Sequence, residues 1–346
     1  MLDSVSKSVK HTALRFAALT GIEDVLRDST WRSNRLLILC YHGLSLSDEH
    51  LWSNLYVTPD HLAERLRVLE ETGSTIVPFG DGVRRLYEGS LPPRSVAVTF
   101  DDGFADFYFK AYPLLREFGT PSVVYLSTYY VTDQRPVFDP LVSYLLWKGQ
   151  GRQLRLQGPL DKTVEIPRAV GPRIRLVKMI LNHARKVGWS AEEKDKVADD
   201  LSAQIRFDLD ALRARRSFFL MSQSEVAELD PDLIDIQLHT HRHRTPRDET
   251  RFVAEVVDNR RAIRELMPDR PVPTHFCYPS GDYDRMFIPW LRNEGVVSAT
   301  TCDTGMASRR ADPLLLPRLI DTMHLPDFVF RSWLAGTADL VPRRSA

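Results

Sequence analysis

Short apolar runs recur along the chain, and between them apolar positions return every three or four residues. Leu36 to Tyr41 is one such run, ending at His42-Gly43, and predicts a strand buried on both faces. Thr58-Pro59-Asp60 opens a helix with Leu62, Leu66 and Leu69 on one face, and Gly73 stops it. A strand over 74–78 and a short helix over 81–87 follow. The run 95–100 is a third strand, with Asp101-Asp102-Gly103 at its C-terminal end. A helix over 107–118 and a strand over 122–126 continue the alternation, which predicts βα units around a parallel sheet or barrel.

Residues 139–221 break the pattern. They are charged, helix-prone and poor in strand signals, with amphipathic helices expected over 173–187 and 191–208. This stretch predicts a helical insertion that covers the site or reads substrate. The alternation then resumes. Strands are expected at 235–238 (ending at His239), 275–278 (leading into Pro279-Ser280-Gly281), 296–301 and 314–320, with helices over 248–266 and 287–294. Val9, Leu14, Ala17, Ala18, Ile22 and Leu26 predict a leading helix. The expected division is a helical extension 1–35, a catalytic domain 36–335 carrying the insertion, and a tail 336–346.

Composition narrows the function classes. Lys+Arg and Asp+Glu both number 46, so no global basic field exists to hold nucleic acid. No run approaches the roughly 20 apolar residues of a transmembrane helix, and the N-terminus lacks the apolar core of about 7–15 residues of a secretory signal. Cys40, Cys277 and Cys302 are odd in number and far apart, which argues against a disulfide framework or zinc knuckle and for a reducing compartment. A cytoplasmic protein is expected, its leading helix packed on the domain in preference to a peripheral contact with the inner membrane face. Oligomeric state is not legible.

Residues able to do chemistry gather at strand C-terminal ends: His42, Asp101-Asp102, His239-x-x-x-His243 and Tyr278-Pro-Ser-Gly. In parallel α/β folds that edge is where sites form. Alone, the aspartate pair reads sooner as a helix cap and turn, and the histidine pair reads equally as a polar loop. Together, one carboxylate and two histidines match a three-ligand catalytic zinc site with an open position for water.

Thr99-Phe100-Asp101-Asp102-Gly103 and His239-Thr240-His241-Arg242-His243 resemble the first two motifs of the polysaccharide deacetylase family (carbohydrate esterase family four). The resemblance spans about residues 36–320 outside the helical middle. It implies a distorted parallel (β/α) barrel with a helical insertion, and hydrolysis of N-acetyl groups from amino sugars of a polysaccharide, oligosaccharide or glycan precursor. Carried over, Asp101 is the general base, and Asp102, His239 and His243 hold a divalent metal. Zinc leads by ligand type, with cobalt, nickel and manganese also suited. Thr240 steadies the histidine loop. The third motif, usually Arg-x-Pro-aromatic-Gly, reads Cys277-Tyr278-Pro279-Ser280-Gly281 here. The Ser280 backbone N–H can still serve as oxyanion donor, and Arg318 is the candidate to replace the missing arginine that orients Asp101. The family's late histidine has no match in pattern. His324 lies near its place, and His42 is a candidate acid, substrate contact or supporting group. Tyr56, Tyr129, Tyr130, Trp147, Tyr278 and Tyr283 are candidates for sugar stacking, with ordinary core packing the more expected role for each. Two alternatives stand beside the deacetylase. The first is a deformylase or amidase on another small N-acyl substrate. The second is a carbohydrate-binding pseudoenzyme.

Overall fold

The expected strands close into a barrel in the computed structural model, which describes residues 2–156 and 162–341. Among the described residues seven parallel strands form it: β1 (Arg35–Tyr41), β2 (Ser95–Asp102), β3 (Ser122–Leu126), β4 (Ile234–Leu238), β5 (His275–Cys277), β6 (Ser298–Thr304) and β7 (Leu316–Ile320). Their order is β1-β7-β6-β5-β4-β3-β2, and β2 returns to β1 with Cys40 opposite Thr99. Helices such as Pro59–Glu71, capped by the Thr58 side chain, and Glu249–Leu266 lie between successive strands.

The continuous apolar runs hide a strict alternation. Leu36, Ile38, Ala97, Val123, Tyr125, Cys277 and Leu316 belong to one buried cluster. Their neighbours Leu37, Leu39, Val96, Val98, Val124, Phe276 and Leu319 belong to another, packed with the helices. Alternate residues of each strand thus face the barrel interior and the helical layer. Cys40, Asp101, Cys277 and Arg318 fall on the interior parity, so the pleat brings them together at one mouth.

The stretch between β3 and β4 builds a separate core. Phe138, Leu145, Leu181, Leu201 and Phe218 pack there, supplied by helices Phe138–Lys148, Val170–Val187 and Ala191–Gln204. It is not wholly helical as expected. Gln153–Leu156 and Lys162–Glu165 pair as an antiparallel hairpin with Leu154 and Leu156 buried on this core. Two apolar positions in the first strand and one in the second are too few for periodicity to register. The leading helix also differs. Gly21, at φ 75°, divides it into Leu2–Leu19 and Ile22–Arg27. The first half packs on helix Asp327–Ala335, where His11 and Phe328 meet edge-on at 5.2 Å. The stretch expected as a tail includes helix Thr337–Leu340, whose Ala338 is buried. The last of its residues lie outside those described. No helix among the described residues is long and apolar enough to cross a membrane.

Candidate active site

Asp101 points into the barrel and is held from several directions. Arg318 Nη1 and Nη2 donate to its two oxygens at 2.7 Å each, a bidentate fork between side chains 0% and 3% exposed. Arg318 Nε donates to the Thr301 carbonyl, Nη1 also to Thr99 Oγ1, and Nη2 also to Cys277 Sγ, so the guanidinium is satisfied on every side. Pairing between β6 and β7 slips between Thr300–Leu316 and Thr304–Arg318, a bulge beside the residue that must reach across the interior. Cys277 and Cys40 thiols lie 3.4 and 3.6 Å from Asp101 Oδ2. Burial alone would raise the Asp101 pKa, but the charge and hydrogen bonds of Arg318 overcome it and hold the carboxyl well below the usual range. Burial pushes both thiols up, so they stay protonated and can donate.

Asp102 stands next to an inward residue, and the pleat alone would send it to the helical layer. Left-handed backbone at Asp102 (φ 70°) and Gly103 (φ 82°) turns it back over the mouth. At Gly103 a Cβ would lie 2.3 Å from Leu126 Cδ1, so the turn admits no side chain. Asp102 Oδ1 lies 3.2 Å from His239 Nε2 and 3.1 Å from His243 Nε2. Around a tetrahedral ion with bonds of about 2.0–2.2 Å, ligand atoms sit roughly 3.3 Å apart. These two spacings suit ligands of one ion, and all three ligand atoms lie within 4.8 Å of one another. His239 Nδ1 meets the Cys277 carbonyl at 2.9 Å, which makes Nδ1 the donor and leaves Nε2 free to ligate. Asn259 accepts from the His239 N–H and donates to the Leu126 carbonyl and Thr128 hydroxyl, tying the ends of β3 and β4 together. The loop beyond is left-handed at Thr240 (φ 61°) and His243 (φ 53°), and Thr240 Oγ1 accepts from the Arg244 N–H at 3.0 Å. His243 is the outermost of the three, its side chain 39% exposed. Burial opposes but does not prevent a strong lowering of the Asp102 pKa by His243 and His239, and Asp102 raises that of His243. With both imidazoles neutral, the Asp102 carboxylate and the two histidine nitrogens converge as a donor set for a cation.

His42 follows β1, with Nε2 3.6 Å from Asp101 Oδ2. Burial lowers its pKa more than the nearby carboxylates raise it. Ser280 sits in a left-handed turn (φ 57°) at the opposite rim. His324 is exposed and makes no contact with these groups. A cavity of about 740 Å³ joins His42, Asp102, His243 and Ser280. The segment between β3 and β4 closes its far side with Phe138, Leu181, Arg185, Trp189 and Lys194. Of the aromatic candidates Tyr56 and Tyr130 line the cavity. Tyr278 is buried and donates to the Leu314 carbonyl, and Trp147 joins the second core. Trp52 and Trp189 also line it, and the sequence offered no signal for either beyond residue type.

The polysaccharide deacetylase family profile matches residues 88–155. The poly-β-1,6-N-acetyl-D-glucosamine N-deacetylase of Escherichia coli is 30% identical over 105 residues, 29% of this chain and 15% of that protein's length. The deacetylase PplD of Streptococcus pyogenes, solved with acetate, superposes with a TM-score of 0.55 at 17% identity, covering 84% of this chain and 94% of PplD. IcaB of Ammonifex degensii gives 0.54 at 18%, covering 87% and 97%. The profile match over 88–155 is a similarity to the polysaccharide deacetylase family, the chain spans about 15% of the length of the E. coli relative, and the barrel is the fold of the solved deacetylases.

Proposed function

We propose that this chain is a polysaccharide deacetylase that hydrolyses N-acetyl groups from amino sugars of a polysaccharide, oligosaccharide or glycan precursor, with Asp101 as proton acceptor and Asp102, His239 and His243 as ligands of a divalent metal. One observation carries the reading. A buried carboxylate forked by Arg318 stands beside a carboxylate and two imidazoles spaced for a metal, at the mouth of a cavity large enough for a sugar. The poly-N-acetylglucosamine deacetylase relative supports the same bond and a similar sugar.

The ion, zinc by donor type with cobalt, nickel or manganese also suited, would polarise the acetyl carbonyl and lower the pKa of a water. Asp101 accepts the proton that the attacking water loses. Arg318 fixes the direction of its lone pairs and keeps it anionic, while Cys277, at the motif position that usually carries an arginine, packs its thiol against both. The Ser280 backbone N–H donates to the carbonyl oxygen as charge develops there, a contact worth about 3–4 kcal/mol. His42, beside Asp101, takes the proton that Asp101 accepted from the water and passes it to the leaving amine. Three free thiols support a reducing compartment, and we assign the protein to the cytoplasm.

The test is acetate release from N-acetylglucosamine oligomers and from nucleotide- or lipid-linked N-acetyl sugars, using metal-stripped, zinc-restored and Asp101→Asn protein. The restored wild type should release acetate, the stripped protein should not, and Asp101→Asn should fall by about 10²–10⁴-fold. Release of formate but not acetate from matched substrates would move the reading to a deformylase. Stoichiometric metal binding with no acyl release from any substrate would overturn it in favour of a binding protein.

A further inference from the structure

The rim and far wall of the cavity carry more positive charge than their own carboxylates compensate. Arg185, Lys194, Arg242 and Arg244 all line the cavity. Asp139 answers Arg185 at 2.5 Å. Glu255 is shared, taking the Arg242 backbone N–H at 2.7 Å, the Arg242 guanidinium at 3.3 Å and Arg244 Nε at 3.5 Å. Arg242 also reaches Asp258 at 3.7 Å, but that carboxylate pairs with Arg261 at 2.7 Å.

Lys194 is the decisive residue. It lies in the first turns of helix Ala191–Gln204 among three acids, and each is committed elsewhere. Glu192 and Asp195 both turn to Arg135, at 3.0 and 2.5 Å. Glu193 folds back on the Ser190 N–H at 2.7 Å to complete a capping box. No carboxylate lies within ion-pair distance of Lys194 among the described residues, and its side chain is half-buried against the cavity. Half-burial of an ammonium with no counter-charge, in a cavity also lined by Arg185, Arg242 and Arg244, leaves a positive potential that an anion would satisfy. The apolar part of the same wall, Phe138, Leu181 and Trp189, suits a sugar face.

We propose that this wall is an anion subsite centred on Lys194 that selects N-acyl sugars bearing a phosphate or carboxylate within one ring of the amide. The inference rests on the reading of the cavity as the N-acyl sugar site and names the substrate class that site takes. The two anions share the chemistry of a compact negative oxygen group, and the experiment separates their sources.

Acyl release is measured on neutral N-acetylglucosamine oligomers, N-acetylglucosamine 1-phosphate and an N-acetylated disaccharide containing a uronate, with wild type, Lys194→Gln, Lys194→Glu and Lys194→Arg. Calorimetry follows binding of N-acetylglucosamine 1-phosphate and the uronate disaccharide to the same four proteins. The ratio of kcat/KM for an anionic over a neutral substrate should be about 10-fold or more in wild type and shrink with added salt. Lys194→Glu should abolish that ratio through KM, Lys194→Gln should reduce it, and Lys194→Arg should keep it. The arm that shows the preference identifies phosphate or carboxylate. A ratio near one in wild type, unmoved by Lys194→Glu, overturns the subsite while acyl release from the neutral sugars leaves the deacetylase reading standing. If no sugar is hydrolysed but an anionic sugar binds wild type and not Lys194→Glu, the deacetylase reading falls and the subsite stands. Absence of both hydrolysis and Lys194-dependent binding overturns both.

Discussion

The barrel and the segment between β3 and β4 handle charge in opposite ways. The barrel puts ions inside, with Arg318 and Asp101 buried at the upper end of its interior and apolar residues beneath them and outside. The intervening segment puts an apolar core inside and ions on its surface, as in Arg135 with Asp195, Arg185 with Asp139, and Arg213 with Asp199. Buried charges are expensive and cannot move without loss of the fold, so a group placed among them is aimed to a fraction of an ångström. Exposed ion pairs contribute little and exchange partners easily, which suits a wall that reads substrate. Chemistry is thus assigned to the costly half of the molecule and selection to the adaptable half.

The strongest way to break this contrast is to remove the buried cation. Arg318→Met leaves Asp101 as an uncompensated interior charge, and stability should fall by about 3–5 kcal/mol. Arg318→Lys keeps the charge but loses the fork, so it should recover part of that stability and little of the activity. Thermal unfolding and kcat/KM on one preparation check both. An Arg318→Met protein as stable as wild type would mean that Asp101 is neutral or solvated, and the contrast would fail.

A smaller effect is expected across the cavity. Trp189 packs edge-on to Phe138 at 6.3 Å and to His183 at 5.4 Å while facing the cavity. Trp189→Ala should raise KM by roughly 10-fold, the equivalent of about 1.4 kcal/mol of ring contact, and change kcat by less than about twofold. A fall in kcat with KM unchanged would place Trp189 with the reacting groups and blur the division of labour.

These two residues also differ in how far they were legible. Arg318 was found from the sequence because a motif with a missing arginine asks for another, and a charged residue inside a strand-like run is conspicuous. The strands were legible because each is a compact apolar run, and the ligands because Asp102, His239 and His243 follow such runs directly. Trp189, Arg185 and Lys194 sit on amphipathic helices whose pattern says which face is buried but not what the other face meets. That depends on how the segment folds back over the mouth, which is tertiary information. The antiparallel pairing of 153–156 with 162–165 escaped for a local reason, too few apolar positions. The gathering of Cys40, Cys277 and Cys302 around the Asp101–Arg318 pair escaped because thiols this far apart share no spacing, only strand parity.

The smallest effect sharpens the contrast within the barrel itself, at the end away from the site. His275 begins β5, two residues before Cys277, and its Nδ1 meets Ser298 Oγ at 2.8 Å beside the edge of Phe79. Burial lowers its pKa to about 4, and no carboxylate opposes the shift. A histidine depressed in the folded state stabilises the protein above its unfolded pKa of about 6.5. That contribution is lost as pH falls toward about 4. By pH 5.5 the loss should be about 1 kcal/mol, and the same acid window should disappear in His275→Gln, which cannot titrate. Unfolding followed from pH 7.5 to 5 in both proteins reads the difference in slope, whatever the substitution costs in absolute stability. Parallel slopes would show that His275 takes its proton without leaving the fold. The fold already holds the buried Arg32 guanidinium near that lower end, on the Leu334, Arg35 and Ser95 carbonyls, and a second charge accepted at His275 would show that the placing of Asp101 and Arg318 at the mouth reflects the needs of the site and not a limit of the fold.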